Sequence, residues 1–549
     1  MRHCVPVFVA RGGCDFRRGS AVQDGVGFFG PRRAQPPAMP MDLRPRNGGA
    51  TLASFLIPLL SSALLLSGCE ATPPPPKRII FLSMDTVRAD HVNGYGPGDT
   101  TPELAKIAAE GVLFRDFYGA STYTIPSHMS IFTGLDPREH GVASIVARLS
   151  PDVPTLAEIL SEAGFRTVAF HEGGFVAAHF GFDRGFDSYQ EYPRGSVVGE
   201  ALPEVLDWIR WAGDDPYFLF LHTYAAHRPY GGLERYRTAN PNRGLPSVAE
   251  LVLLRETAPG NDTELSDSQR SVYYLVNSLV DRAEDKIAGD TRDRFFTTNP
   301  HFEADIAAVR ASYDERIGRI DRAIGRIKDT LIEGGQWEDT LFVVFSDHGE
   351  AFFEHGLDQH GYIPFDEVLK VPLVISYPRF LRSRSEHVVE GLAWHLDILP
   401  TVLGLAGLPT PPGGQGIDLT PILAGDAELP KTRAIYPAVL KSPLYPPQRP
   451  VRRVALMDGY KRIEGHAHYG DTGGYLFDLE SDPGEERNLR ATRRDLFDAM
   501  AERLRRYLSG LTIHPPVHRR TGRVITGREA DTGLSREELQ KLRDLGYVE

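Results

Sequence analysis

Two strand-length apolar runs lead directly into acidic residues. Residues 78–84 (RIIFLSM) precede Asp85, and residues 341–346 (LFVVFS) precede Asp347-His348. A run with no polar face must be covered on both sides, which is the situation of a strand in a parallel sheet. Residues 167–170, 217–222 and 373–376 read as further strands, with helical patterns between them at 101–110, 153–163 and 308–331. In the last of these, Val309, Tyr313, Ile317, Ile320, Ile324, Ile327 and Leu331 recur at spacings of four and three. That is one apolar helix face, and it leaves Arg319 and Asp321 on the solvated side. Strands alternating with helices predict an α/β fold, a doubly wound and mainly parallel sheet flanked by helices. Its reactive residues then fall at the carboxyl ends of the strands.

A chain of 549 residues suits a large α/β domain with a smaller one appended. We place the main domain at 78–428. Beyond about residue 429, strand patterns at 451–463 and 474–479 and a helix at 493–508 predict a small antiparallel sheet with a covering helix, so 429–549 is read as a C-terminal subdomain. Within it, Ser535 and Glu538 stand at capping-box spacing. Residues 230–294 are polar with weak periodicity and read as an insertion near the site, or a lid. Hydrophobic content of 41% and charged content of 24% exclude disordered and collagen-like classes.

A formal net charge of -12 gives no long-range attraction for a polyanion, which excludes nucleic-acid binding as the main role. An anionic substrate therefore needs a local cation. The three cysteines are Cys4, Cys14 and Cys69, so the body of the chain has no disulfide framework, cysteine nucleophile or cysteine metal site. Any metal must be held by oxygen and nitrogen of Asp, Glu, His or Thr. Composition does not address the oligomeric state.

The N-terminal segment reads as an address. Residues 1–40, rich in Arg, Gly and Pro, form a leader without periodicity, disordered or preceding the true start. Residues 41–68 combine a basic start, an apolar run at 52–66 and small residues, which is the pattern of a signal peptide. Its end, Leu66-Ser67-Gly68-Cys69, resembles the bacterial lipobox, which implies that Cys69 is lipidated and begins the mature protein. The apolar run is short for a membrane span. Residues 69–77, with four consecutive prolines, form a stiff spacer. The expected location is the periplasmic side of the cell envelope, lipid-anchored. Glu70 in the position after the anchor implies the outer membrane.

The mature chain resembles the sulfatase family, in order and over almost its whole length. The matching stretches are Met84-Asp85-Thr86, residues 101–111, Thr124-Ile125-Pro126-Ser127-His128 through Thr133-Gly134, and His140-Gly141-Val142. They continue with 218–230 (FLFLHTYAAHRPY), Ser346-Asp347-His348-Gly349-Glu350, His355-Gly356 and Lys370-Val371-Pro372-Leu373, and end with Asp397-Ile398-Leu399-Pro400-Thr401 and 475–485. The resemblance implies an alkaline phosphatase-like fold and a divalent metal site, zinc, calcium or manganese, with a second site open. Three departures matter. Thr124 stands where formylglycine-forming sulfatases carry Cys or Ser, His128 stands in place of an Arg, and Thr86 replaces the second Asp of the metal pair. The set Asp85, Thr124, Asp347 and His348 is closer to the single-metal pattern of phosphoethanolamine transferases and nucleotide pyrophosphatases.

The same residues make chemical sense individually. Carboxylates and an imidazole at strand ends can converge on a divalent ion. A metal-bound Thr124 oxygen becomes a nucleophile toward sulfur or phosphorus and forms a covalent ester. Pro126 suits a first helical turn, so Thr124 falls at a helix N-terminus, where backbone N–H groups favour an anion. His227 matches the family's substrate-binding His, and His360 falls near its Lys-His pair, with Gln359 in place of the Lys. His128, His227 and His360 are thus candidates to bind ester oxygens, protonate the leaving group or hold a second metal. His222 stands between a site and a structural reading, and Asp366 and Glu367 are weaker candidates. The implied function is hydrolysis of a sulfate or phosphate ester. The alternatives are phosphoethanolamine-type transfer to a lipid or glycan, and a non-catalytic binding lipoprotein.

Overall fold

A computed structural model describes residues 74–228, 302–440, 452–464 and 473–525, apart from 353, 356 and 357. Cys69 and the signal peptide, the 230–294 insertion and the Ser535/Glu538 box lie outside these residues. The expected doubly wound sheet is present. Its strands are β1 (Arg78–Met84), β2 (Val112–Tyr118), β3 (Arg166–His171), β4 (Ser188–Glu191), β5 (Tyr217–Thr223), β6 (Thr340–Phe345), β7 (Leu373–Ser376) and β8 (Val388–Trp394). They lie in the order β8-β2-β7-β6-β1-β5-β3-β4. All run parallel except β7, which is antiparallel to both β2 and β6.

The two-sided apolar character of β1 is used as expected. Ile79 and Phe81 pack on one face against Ile125, Met129 and Phe132 of α2 (Thr124–Thr133), Leu156 and Leu160 of α3 (Leu156–Glu162) and Leu399 of α6 (Ile398–Leu405). Ile80, Leu82 and Met84 face the other layer, made by α1 (Pro102–Glu110), α4 (Leu202–Ala212) and α5 (Phe302–Glu333). The Tyr313, Ile317, Ile320, Ile324, Ile327 and Leu331 stripe of α5 is fully buried there. Truncating one such Ile to Ala costs about 2–5 kcal/mol.

One expectation needs correction, and three strands of the sheet were not anticipated. Strands β2, β4 and β8 carry no clear apolar signal: β2 reads VLFRDFY, and its polar pair is neutralised laterally, Arg115 by Glu390 of β8 at 2.9 Å and Asp116 by Lys370 at 2.7 Å. Asp321 is not on a solvated face. It is 2% exposed, and its carboxylate accepts from the amides of Glu103 (3.0 Å) and Leu104 (2.8 Å), capping α1 from a neighbouring helix. Arg319 is exposed as expected.

The C-terminal part forms a five-stranded antiparallel sheet: β9 (Ala434–Ile435), β10 (Ala438–Val439), β11 (Arg452–Met457), β12 (Tyr460–Glu464) and β13 (Tyr475–Asp478). Helix α7 (Arg494–Ser509) lays Phe497, Met500 and Leu504 onto it. Two polar seams join this sheet to the main domain. Ala438 donates its amide to the Ala120 carbonyl at 2.8 Å, and the fully buried Lys461 bridges Asp366 (2.6 Å) and Glu485 (2.9 Å).

Candidate active site

The strand pairing brings three carboxyl ends to one place. In register, Ser83 of β1 lies beside His222 of β5 and Phe345 of β6, so Asp85, Tyr224 and Asp347 emerge from three adjacent strands. Helix α2 points its N-terminus at the same spot, and its first residue is Thr124, as Pro126 led us to expect. Thr124 Oγ1 lies 3.2 Å from Asp85 Oδ2 and 3.3 Å from His348 Nε2. Asp85, Thr124, Asp347 and His348 are all fully buried.

Each group has a definite orientation. Asp347 Oδ1 accepts from the amides of His348 (2.9 Å) and Thr86 (3.2 Å), whereas Asp347 Oδ2 and Asp85 Oδ1 have no hydrogen-bond partner. His348 Nδ1 lies 2.9 Å from the Gly349 carbonyl, which can only accept, so Nδ1 carries the proton and the Nε2 lone pair faces Thr124. Burial pushes the His348 pKa down to about 4, which keeps that lone pair available at neutral pH. Burial first, and the neighbouring Asp347 second, push the Asp85 carboxyl well above the ordinary range.

Two buried carboxylates with orphaned oxygens are costly unless a cation sits between them. One ligand atom each of Asp85, Asp347 and His348 lies within 4.8 Å of the others. Two hard oxygens and one neutral imidazole nitrogen, with a hydroxyl beside them, are a donor set that fits a divalent ion. Thr86, in the place of a second Asp, does not add a carboxylate. Its backbone is left-handed (φ 59°), its hydroxyl turns back to the Asp85 carbonyl at 2.7 Å, and its amide serves Asp347.

The three candidate histidines fall into two groups. His128 is built into the wall behind Thr124: its Nδ1 faces the Thr124 carbonyl at 3.1 Å and Asp347 Oδ2 at 3.4 Å, and its Nε2 faces the Ser83 hydroxyl at 2.8 Å. His227 and His360 stand together on the other side, ring centroids 5.2 Å apart, with His360 4.3 Å from His348. His222 joins the cluster, with Nε2 3.5 Å from Asp85 Oδ2 and its ring 5.1 Å from that of His128. Asp366 and Glu367 turn away from it. Asp366 binds Lys461, and Glu367 binds His355 at 2.8 Å. The Gly349 of the Asp-His-Gly motif is required by a close approach, since a Cβ there would lie 2.1 Å from the Glu367 carbonyl oxygen. His140 is structural: Nε2 meets Ser130 Oγ at 3.2 Å and Nδ1 meets the Val142 amide.

Sequence reasoning assigned no role to Glu350, Arg228, Arg194 or Ser83. Glu350 is fully buried, with Oε1 3.1 Å from His360 Nδ1 and Oε2 3.7 Å from Arg228 Nε. Its position two residues past His348, and that of Arg228 beside His227, were the only signals available.

Comparison with known proteins follows the same lines. A profile of the family described as Sulfatase matches residues 77–408, more than half of the chain, and one described as N-sulphoglucosamine sulphohydrolase, C-terminal matches 354–512. The chain is 22% identical to an N-acetylglucosamine-6-O-sulfatase of Bacteroides thetaiotaomicron, covering 80% of this chain and 87% of that one. It is 26% identical to the multifunctional alkaline phosphatase superfamily protein PehA of Trinickia caryophylli, covering 75% and 91%. Among solved structures, a protein in complex with its substrate D-glucosamine-2-N,6-O-disulfate aligns with a TM-score of 0.59 at 20% identity, over 80% of this chain and 98% of that one. The phosphonate monoester hydrolase of Agrobacterium radiobacter aligns with a TM-score of 0.57 at 20% identity, over 79% and 95%. At such identities the structural matches establish the fold.

Proposed function

Because the chain belongs to the sulfatase family, we propose that it is a metal-dependent ester hydrolase in which Thr124 is the nucleophile. The family makes the chain an ester hydrolase of the sulfatase type. The finer reading, a sulfate or phosphate ester cleaved through a covalent Thr124 intermediate, rests on one observation: the Thr124 hydroxyl sits between Asp85 Oδ2 and His348 Nε2 at the N-terminus of α2.

Asp85, Asp347 and His348 are the residues to hold the metal, and Thr124 Oγ1 lies beside them. When bound there, a divalent cation supplies charge stabilisation for the ester oxygens and lowers the proton affinity of a neighbouring hydroxyl. Thr124 gives its proton to Asp85 Oδ2, and its oxygen forms a bond to sulfur or phosphorus as the bond to the leaving oxygen breaks. The first-turn amides of α2 favour the anionic centre. His227 and His360 flank the leaving oxygen, and His360, carrying a proton on each ring nitrogen with Nδ1 on the Glu350 carboxylate, gives its Nε2 proton to that oxygen. Water then gives a proton to His360 as it attacks the Thr124 ester; the bond from sulfur or phosphorus to Thr124 Oγ1 breaks, Asp85 returns its proton to that oxygen, and the inorganic anion leaves. A Thr side chain cannot become formylglycine, so this second step must be a hydrolysis. His128 fixes the Thr124 turn from behind.

Metal analysis of the purified protein, then turnover of aryl sulfate, phosphate monoester, diester and phosphonate substrates, tests the reading. Turnover that survives complete metal removal overturns the metal requirement, and transfer to an added alcohol in place of water would identify a transferase. For location, we propose a lipid anchor at Cys69 on the periplasmic side of the envelope, supported by the sequence at 41–69. Among the described residues no helix is long and apolar enough to cross a membrane.

A further inference from the structure

His222 occupies a position that the pattern of β5 would otherwise give to an apolar residue. Phe218 and Phe220 precede it at alternate positions, on the face that packs under α2, and all three side chains are fully buried. The His222 ring lies 6.2 Å from that of Phe220 and 5.1 Å from that of His128 on α2. A buried imidazole is costly unless its nitrogens are used. The two histidines beside it account for theirs. His128 sets Nδ1 on the Thr124 carbonyl and Nε2 on the Ser83 hydroxyl, and His348 sets Nδ1 on the Gly349 carbonyl and turns Nε2 to Thr124. Neither ring nitrogen of His222 has a hydrogen-bond partner among the described residues.

What His222 does face is Asp85. Its Nε2 lies 3.5 Å from Asp85 Oδ2, the oxygen that Thr124 Oγ1 meets at 3.2 Å. A carboxylate oxygen only accepts, so Nε2 can approach it only as an N–H donor. The separation is about 0.5 Å beyond an ordinary N–H···O bond, within reach of a small side-chain adjustment. The ligand atoms that lie within 4.8 Å of one another belong to Asp85, Asp347 and His348, and His222 is not among them. It stands behind a ligand. We propose that His222 is a positioning residue for the metal site: its Nε2–H holds Oδ2 of Asp85 and leaves the unpartnered Oδ1 to the cation. Thr86 adds no carboxylate beside Asp85, since its hydroxyl turns back to the Asp85 carbonyl, so the orientation of this one side chain decides what the end of β1 offers an ion. The inference rests on the metal-ligand reading above.

The test compares three variants of the full chain, each stripped of metal and titrated in turn with zinc, manganese and calcium against a chelating indicator. Gln places an amide N–H where Nε2 stands, Asn places one where Nδ1 stands, and Phe keeps a ring without any donor. Loss of a group that orients a metal ligand weakens metal binding by about 10- to 100-fold, and this is the rise in Kd expected for His222→Phe and His222→Asn. His222→Gln should bind close to wild type, because the donor is restored at the right atom. The rise in Tm on adding metal should follow the same order. Melting of the metal-free proteins shows separately that each variant folds. If folded His222→Phe and His222→Asn bind metal as tightly as wild type, His222 only fills space and the inference is overturned. A folded His222→Gln as weak as His222→Phe overturns it too, because the Nε2 donor would then not be what matters. If wild type binds none of the three ions, the metal reading fails, and the positioning role with it.

Discussion

The carboxylate of Glu350 lies 3.1 Å from Nδ1 of His360, both groups being buried, ten residues apart in the segment that joins β6 to β7. Glu350 also faces Arg228. A carboxylate on one ring nitrogen fixes the tautomer and the plane of the imidazole, which is a positioning role. Glu350→Gln keeps the volume and loses the charge. We expect kcat to fall roughly 10- to 100-fold, a part of what proton transfer contributes. KM should change little. The loss should be larger for esters with poor leaving groups than for 4-nitrophenyl esters. Equal loss across leaving groups would show that His360 does not deliver the proton.

Thr124→Ala should lower turnover by roughly a thousandfold or more, since only charge stabilisation survives the loss of a nucleophile. Thr124→Ser keeps the hydroxyl and should retain measurable activity. Intact-mass analysis of quenched wild-type reactions should show a sulfate- or phosphate-sized adduct on the peptide containing Thr124. Full turnover by Thr124→Ala would mean that water attacks directly.

Asp347→Asn keeps the side-chain volume and removes one of the two buried charges. It should abolish stoichiometric metal and activity while circular dichroism remains native. The wild type should gain thermal stability on adding the metal, because an ion that binds only the folded state stabilises it by mass action. The variant should not. Retention of metal by the variant would remove Asp347 from the ligand set.

His355 stacks on Phe365 with ring centroids 3.6 Å apart and meets Glu367 at 2.8 Å. Burial works to lower its pKa, but the hydrogen bond and charge of Glu367 win and hold the imidazole above its ordinary value of 6.5. A raised histidine pKa contributes stability that is complete below pH 6.5 and disappears as pH rises through the higher folded value. Denaturant unfolding at pH 6 and pH 8.5 should therefore show wild type losing more stability over this interval than His355→Gln. Identical pH dependence in the two proteins would mean the pair is not charged in the folded state.

Cys69→Ala should abolish incorporation of labelled fatty acid in cells and release the protein from the membrane fraction. Equal labelling of both forms would mean that the anchor lies elsewhere.

The parts legible in sequence were those written locally. Asp85, Thr124 and Asp347-His348 each adjoin a strand end or helix start, and the residues beside them announce that geometry. What escaped was written across the chain. Arg194, in the loop after β4, and Arg316, on α5, both reach the carbonyl of His227 after β5, an approach that no sequence spacing announces. Asp321 obeys the helical period of a solvated position, yet a neighbouring helix end covers it and uses its carboxylate. Strand β2 escaped because Arg115 and Asp116 interrupt its apolar run; both remain partly exposed and pair laterally with Glu390 and Lys370.

Strand β7 runs back alongside β6, with Leu373 opposite Phe345 and Ser376 opposite Phe342. Residues 346–372, which carry Asp347, His348, Glu350 and His360, therefore leave and re-enter the sheet at adjacent hydrogen-bonded strands. Such an excursion is topologically a cassette. Its middle can be lengthened, shortened or exchanged between relatives without re-threading another strand, provided its two anchored ends are preserved. Of all the segments that build the site, this is the one through which a new leaving-group preference could be grafted while the nucleophile and the rest of the sheet stay in place.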